Sequence, residues 1–224
     1  MKPNSLCSPV TTCIQTAFNL SYEKYEDIYK EWKRASFRSL SLVSAPQIIG
    51  SLQELGRFDT VIRAMEDELQ LELSQNSQGC DLGFLPFLSE NWLSKTYAIG
   101  RAIRQRNDCL PDDFKNLLND FKIIRVTLEK YEIANDRLLK EPLAFQTVPH
   151  DKDRRQIFSY DKKDKKRHHI MLTGISHRGS VVWEATEVCD KRDNNSKKEV
   201  SPSIFKILER RDLSDRFLKV LQEL

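Results

Sequence analysis

The sequence predicts an α+β fold: a bundle of four to five helices, then a small antiparallel sheet and a C-terminal helix. Three observations predict it. Apolar residues recur at threes and fours through residues 21–135, and the repeat shortens to a period near two after Pro142. Only seven glycines interrupt a chain of 224 residues that is 31% charged, a composition that favours helices. This divides the chain into a flexible N-terminus (1–20), a helical bundle (21–140) and a β lobe closed by a helix (141–224).

The first helix is legible in "SYEKYEDIYKEWKRAS", where Tyr22, Tyr25, Tyr29 and Trp32 share a face and Ser21 is placed to cap. Such an aromatic stripe could stack bases, but core packing accounts for the same period. In "SAPQIIGSLQEL", Ser44 and Gln47 have capping-box spacing and Pro46 suits a first turn. Gly56 is expected to break or bend the chain, with Asp59 capping a second run whose Ile62, Met65, Leu69 and Leu73 share a face. The turn-rich "NSQGCDLG" follows.

A helix from about Ser89 to Arg106 carries Trp92, Thr96, Ile99 and Ile103 as its stripe, and Gly100 lets a neighbour approach closely. Arg101, Arg104 and Arg106 cluster where the helix dipole favours cations. After Pro111 the repeat Phe114, Leu117, Leu118, Phe121, Ile124, Leu128 and Tyr131 is the clearest in the chain. The short "CLPDD" connection predicts that these two helices pack antiparallel. Trp32, Trp92, Phe121 and Leu128 are expected in the core.

Four strands are expected: "LAFQTV" (143–148), "QIFSY" (156–160), "HHIMLTGI" (168–175) and "SVVWEATEV" (180–188), with "SHRG" closing a hairpin. "CDKRDNNSKKEVSPS" reads as a mobile charged loop. The last helix, "DLSDRFLKVLQEL", takes Asp212 as N-cap and buries Leu213, Phe217, Val220 and Leu221.

Charge is segregated. Residues 1–150 have a net of −2, residues 151–198 hold 13 basic against 8 acidic residues, and the tail is balanced. The basic segment marks Arg154, Arg155, Lys162, Lys163, Lys165, Lys166, Arg167, His168 and Arg178 as candidate nucleic-acid contacts. The competing reading of "YDKKDKKRHHIML" is a solvated loop between strands, its field weakened by Asp161 and Asp164. Five scattered cysteines argue against a disulfide framework and for a reducing cytoplasm. The start lacks the order of a signal peptide, and no run is apolar enough to span a bilayer.

Chemical motifs are few. Glycines stand singly, so no phosphate loop is legible, and no Cys-x-x-Cys is present. His168 and His169 are adjacent and would point to opposite faces of a strand, which argues against a metal site. No nucleophile elbow marks a hydrolase, and no cofactor is implied.

The helix pair "ENWLSKTYAIGRAIRQR" and "FKNLLNDFKIIRVTLEKYEIAND" resembles the central pair of HEPN-type helical bundles. The resemblance implies a metal-independent ribonuclease, or an inactive partner, of a toxin–antitoxin or antiviral system. Active members carry an arginine followed four to six residues on by a histidine. No arginine here has that spacing; the nearest arrangement is Arg125 with Tyr131, to which Arg101 and Arg104 would add as candidate catalytic residues. A tyrosine of ordinary pKa is a poor base at neutral pH. Three readings follow: a non-catalytic binding or regulatory protein that recognises a protein or RNA, a degenerate HEPN-like ribonuclease, and a scaffold subunit. Charge segregation favours the first. The oligomeric state is not legible.

Overall fold

A computed structural model describes residues 7–42, 46–75, 83–107, 109–146, 157–189 and 203–224. Its helices are α1 (Cys7–Leu42), α2 (Gln47–Ser74), α3 (Leu85–Arg104), α4 (Asp112–Lys130) and α5 (Arg210–Glu223). Its strands are β1 (Leu143–Gln146), β2 (Ile157–Tyr160), β3 (Leu172–Ile175), β4 (Val181–Val188) and β5 (Ser203–Glu209). Strands β1 and β2 pair antiparallel, Leu143 opposite Tyr160, and a second sheet has the order β3-β4-β5. The α+β architecture, a helical bundle with small antiparallel sheets and a C-terminal helix, is as the periodicity predicts.

The chain divides into two units. The first holds α1 to α3, α4 as far as Phe121, Gly174–Val182 and Glu209–Leu224; the second holds Lys122–Thr173 and Trp183–Leu208. Helix α5 therefore falls in the same unit as α1 to α3, although its residues lie within the stretch 141–224 expected as a lobe.

Several expected boundaries move. Helix α1 starts at Cys7, within the stretch expected to be a flexible lead-in. Ser21 is interior rather than a cap: its hydroxyl donates to the Phe18 carbonyl and meets Thr60 Oγ1 at 3.2 Å. Helix α1 kinks at Tyr25 (φ −121°, ψ 31°). Helix α2 runs unbroken through Gly56, because that glycine is needed for contact: an added Cβ would lie 2.5 Å from the Cβ of Trp32. The helix cost of a glycine, about 1 kcal/mol, is offset by that close approach. Pro46 takes the N-cap position of α2, and Ser44 lies outside the described residues.

The core of the first unit is aromatic. Phe217 of α5 lies 6.0 Å from Trp32, 6.4 Å from Phe114 and 5.8 Å from Phe121, and Phe121 meets Trp92 at 6.0 Å. Gly100 admits Leu118. Contacts between Trp92 and Phe121 and between Gly100 and Leu118 run in opposite directions along α3 and α4, so these helices are antiparallel. Leu128, expected in the core, is only half-buried; Thr127 takes the buried place and donates to the carbonyl of Ile123.

A charge network sits in this apolar unit. Asp59, Arg63 and Glu66 fall on one face of α2 at spacings of four and three. Arg210, fully buried at the start of α5, donates to Asp59 Oδ1 at 2.5 Å and to both carboxylate oxygens of Glu66 at 2.6 and 2.7 Å. Asp59 also accepts from Arg63, Trp32 Nε1 and Ser214. Arg211 bridges Glu66 and Asp67, and Asp67 accepts the Tyr25 hydroxyl. Asp59 is thus mid-helix and not a cap. Burial opposes its ionisation, but Arg63 and Arg210 outweigh that and hold its carboxyl below the usual carboxylate range. Burial and the bond to Asp67 push the Tyr25 hydroxyl up to about 12. The hairpin turn after β3 is tied to the same helix, with Ser180 Oγ donating to Glu66 and Gly179 (φ 73°) lying against its backbone.

In the second unit, Ile133, Leu139, Tyr160 and Val188 form a small core. Strand β3 starts at Leu172, not His168; residues 162–163 and 165–166 are in turns and the backbone N–H of His169 is taken by the Tyr131 carbonyl. Strand β5 occupies residues expected to precede a helix, and α5 then starts at Arg210 with Glu209 extended in the N-cap position. Asp212 consequently does not cap; it accepts from Arg178. Residues 190–202 of the expected loop lie outside the described residues.

Candidate nucleic-acid interface

The repeat Asp-Lys-Lys-Asp-Lys-Lys builds two consecutive turns after β2. Asp161 Oδ1 accepts the Lys163 N–H at 2.9 Å and Asp164 Oδ1 accepts the Lys166 N–H at 2.8 Å. Backbone bonds from Asp164 to Asp161 and from Arg167 to Asp164 close the same turns. A short acidic side chain bonded to the amide two residues on is the ordinary way such turns form. Both carboxylates are therefore drawn onto the backbone, while Lys163, Lys165 and Lys166 are exposed. Lys162 Nζ donates to the Arg137 carbonyl at 3.0 Å.

Arg167 has a different role. Its guanidinium is held by Glu132 at 2.7 Å and Asp136 at 3.1 Å, which fastens the double turn to the segment after α4. Asp136 also accepts the Tyr160 hydroxyl at 2.8 Å, and that hydroxyl accepts the Ile133 N–H. Burial, with the bond to Asp136, raises the Tyr160 pKa.

The two histidines part company. His168 is exposed. His169 turns inward: its ring stacks on Phe145 at 4.8 Å and meets the edge of Tyr160 at 6.4 Å. Its Nε2 is buried without a hydrogen-bond partner among the described residues, and burial lowers its pKa. Its backbone N–H donates to the Tyr131 carbonyl at 2.7 Å.

That bond joins the basic turn to an exposed aromatic. Tyr131 follows the last turn of α4 with φ 56° and is 59% exposed, so it ends the helix instead of continuing the core stripe. Positive φ is unusual for a large side chain and carries strain of order 1–3 kcal/mol. Across residues 130–138 and 160–169, seven lysines and arginines face four acids, so the charge excess survives every pairing described.

The other candidates fall elsewhere. Arg178 belongs to the first unit, where Glu209 and Asp212 hold it at 2.7 and 2.6 Å, whereas Lys162–His168 belong to the second. Arg154 and Arg155 lie outside the described residues. Arg101 lies over the Tyr97 ring at 5.9 Å and Arg104 is exposed, both in the first unit. Arg125 donates to Glu129 at 2.5 Å and shares the second unit with Tyr131. Among the described residues no cluster of three His, Cys, Asp or Glu side chains could hold a metal ion, and no helix is long and apolar enough to cross a membrane.

Sequence reasoning missed Glu132, Asp136, His169 and Phe145. The recurrence of Asp161 and Asp164, each two residues before an amide that it binds, was the legible signal for the double turn. Nothing local marks Glu132 and Asp136 as partners of Arg167.

Fold and site together define an α+β protein with a helical bundle and an exposed basic double turn. Comparison of the chain with family models, with curated proteins and with solved structures finds no match.

Proposed function

We propose that this chain is a non-catalytic binding protein that takes RNA on the double turn of residues 161–168, with Tyr131 as a stacking platform. The observation that carries the reading is the bond between the His169 N–H and the Tyr131 carbonyl. It ties the backbone that follows the double turn to the residue carrying an exposed ring, while Lys163, Lys165, Lys166 and His168 are exposed and Asp161 and Asp164 are turned onto backbone amides. Exposed lysines together with an accessible ring suit single-stranded RNA, which offers phosphates and an unstacked base together.

The test is binding of a mixed single-stranded RNA pool by wild type and by a variant with Lys162, Lys163, Lys165 and Lys166 changed to Ser. Arg167 is left in place because it fastens the turn. With about three phosphates neutralised, a rise from about 50 to about 200 mM salt lowers wild-type affinity roughly twentyfold. Equal binding by both proteins, or no binding at low salt, refutes the reading and leaves a protein partner to be sought. RNA kept with the protein in EDTA is expected to stay intact; cleavage abolished by Arg125→Ala would instead support the ribonuclease that the HEPN resemblance implies.

A further inference from the structure

Strand β5 is an edge of its sheet, for the order is β3-β4-β5 and its outer side has no strand partner among the described residues. Edge strands are usually protected by charges, prolines or bulges. Between Ser203 and Leu208 the only charge is Lys206, which reaches Glu187 of β4 at 3.4 Å. Lys206, and with it Ile204 and Leu208, thus lies on the sheet face of Glu187. Phe205 and Ile207 alternate to the opposite face, where they are 58% and 67% exposed. Two large apolar side chains stand in water on an open backbone edge.

The strand is self-complementary. Ile204-Phe205-Lys206-Ile207-Leu208 reads apolar, apolar, Lys, apolar, apolar in either direction. We infer that β5 pairs with β5 of a second copy of this chain, antiparallel about a two-fold axis at Lys206. In that register Phe205 lies opposite Ile207 of the other copy and Ile204 opposite Leu208, so each exposed side chain gains a cross-strand apolar partner. Ser203 then meets Glu209, and no two carboxylates meet on the strand. The one like-charged pair, Lys206 with its copy, has a Glu187 carboxylate beside each member. A two-fold centred on Phe205 would put Leu208 opposite Pro202, which has no N–H to give, and one centred on Ile207 would set Phe205 against Glu209. The register at Lys206 alone pairs both exposed residues with apolar partners. The partner this surface fits is a second copy, and the result is one six-stranded sheet.

Sedimentation equilibrium over a wide concentration range tests this. Wild type is expected to rise from 26.2 kDa toward twice that mass. Ile207→Lys, an exposed position that leaves the fold intact, is expected to weaken the dimer tenfold or more. Adding Phe205→Glu to Ile207→Lys places opposite charges across the two-fold in this register and is expected to restore it, a recovery that a misfolded chain cannot show. Wild type at 26.2 kDa throughout, a dimer indifferent to Ile207→Lys, or a double variant as weak as the single one overturns the inference.

Discussion

Arg210→Met removes the centre of the buried charge network while keeping much of the side chain's volume. In the folded protein Arg210, Asp59 and Glu66 have no solvent exposure, and Arg210 supplies three short donors to the two acids. Its guanidinium also lies over the Trp92 ring at 5.4 Å. After the substitution Glu66 keeps Arg211 and Ser180, and Asp59 keeps Arg63, Trp32 and Ser214, but one buried negative charge is left uncompensated. Breaking one side of a buried pair costs about 3–5 kcal/mol, a large part of the stability of an ordinary domain. Arg210→Lys keeps the charge but cannot fork between two acids, so its loss should be intermediate. Arg216→Met, whose half-exposed side chain meets Asp120 at 2.8 Å, should lose under about 1 kcal/mol. Urea titrations followed by far-UV circular dichroism would give the three values. If Arg210→Met loses no more than Arg216→Met, the network does not hold α5 and the reasoning fails.

His169 should make the second unit acid-sensitive. Its folded pKa is lowered by burial, so the fold prefers the neutral ring. Stability is then fully present above the unfolded value near 6.5 and falls as pH drops below it, by about 1.4 kcal/mol per pH unit until the lowered folded pKa is reached. His169→Phe keeps the stacking on Phe145 and should flatten that limb in melts across pH; an unchanged limb would assign it to another group. Tyr131→Gly removes a strained positive φ and should leave stability within about 1 kcal/mol of wild type. It should nonetheless weaken RNA binding by roughly 1–3 kcal/mol in a fluorescence titration, and undiminished binding would remove Tyr131 from the site. Phe121→Ala opens a cavity between Trp92 and Phe217 and should cost roughly 3–5 kcal/mol of unfolding free energy; a loss under about 1 kcal/mol would mean the core closes around it. Gly179→Ala forces a Cβ at φ 73° against the Glu66 carbonyl and should lower stability by about 1–3 kcal/mol, read as a lower denaturation midpoint.

The sequence alone determined the class of fold, because helix and strand periods are local. The stripe of Phe114, Leu117, Leu118 and Phe121 needs only its own neighbours to declare a buried face, and that face is buried. Capping and breaking signals misled where a distant residue competed for the same atoms. Gly56 reads as a break until Trp32 is packed on it, and Asp59 reads as a cap until Arg210, 151 positions away, arrives at its carboxylate. Strand β5 escaped notice because a short apolar run ahead of two arginines fits a helix start as well as a strand. In the candidate interface, the paired Asp-Lys-Lys units were legible as a basic loop, and their spacing is what forms the turns. Only the tertiary structure separated Arg167, held 31 and 35 positions away by Asp136 and Glu132, from the lysines beside it. Composition weighs all seven cations alike, whereas the field at a surface depends on which of them already have a carboxylate at hydrogen-bonding distance, and that is a property of the folded chain.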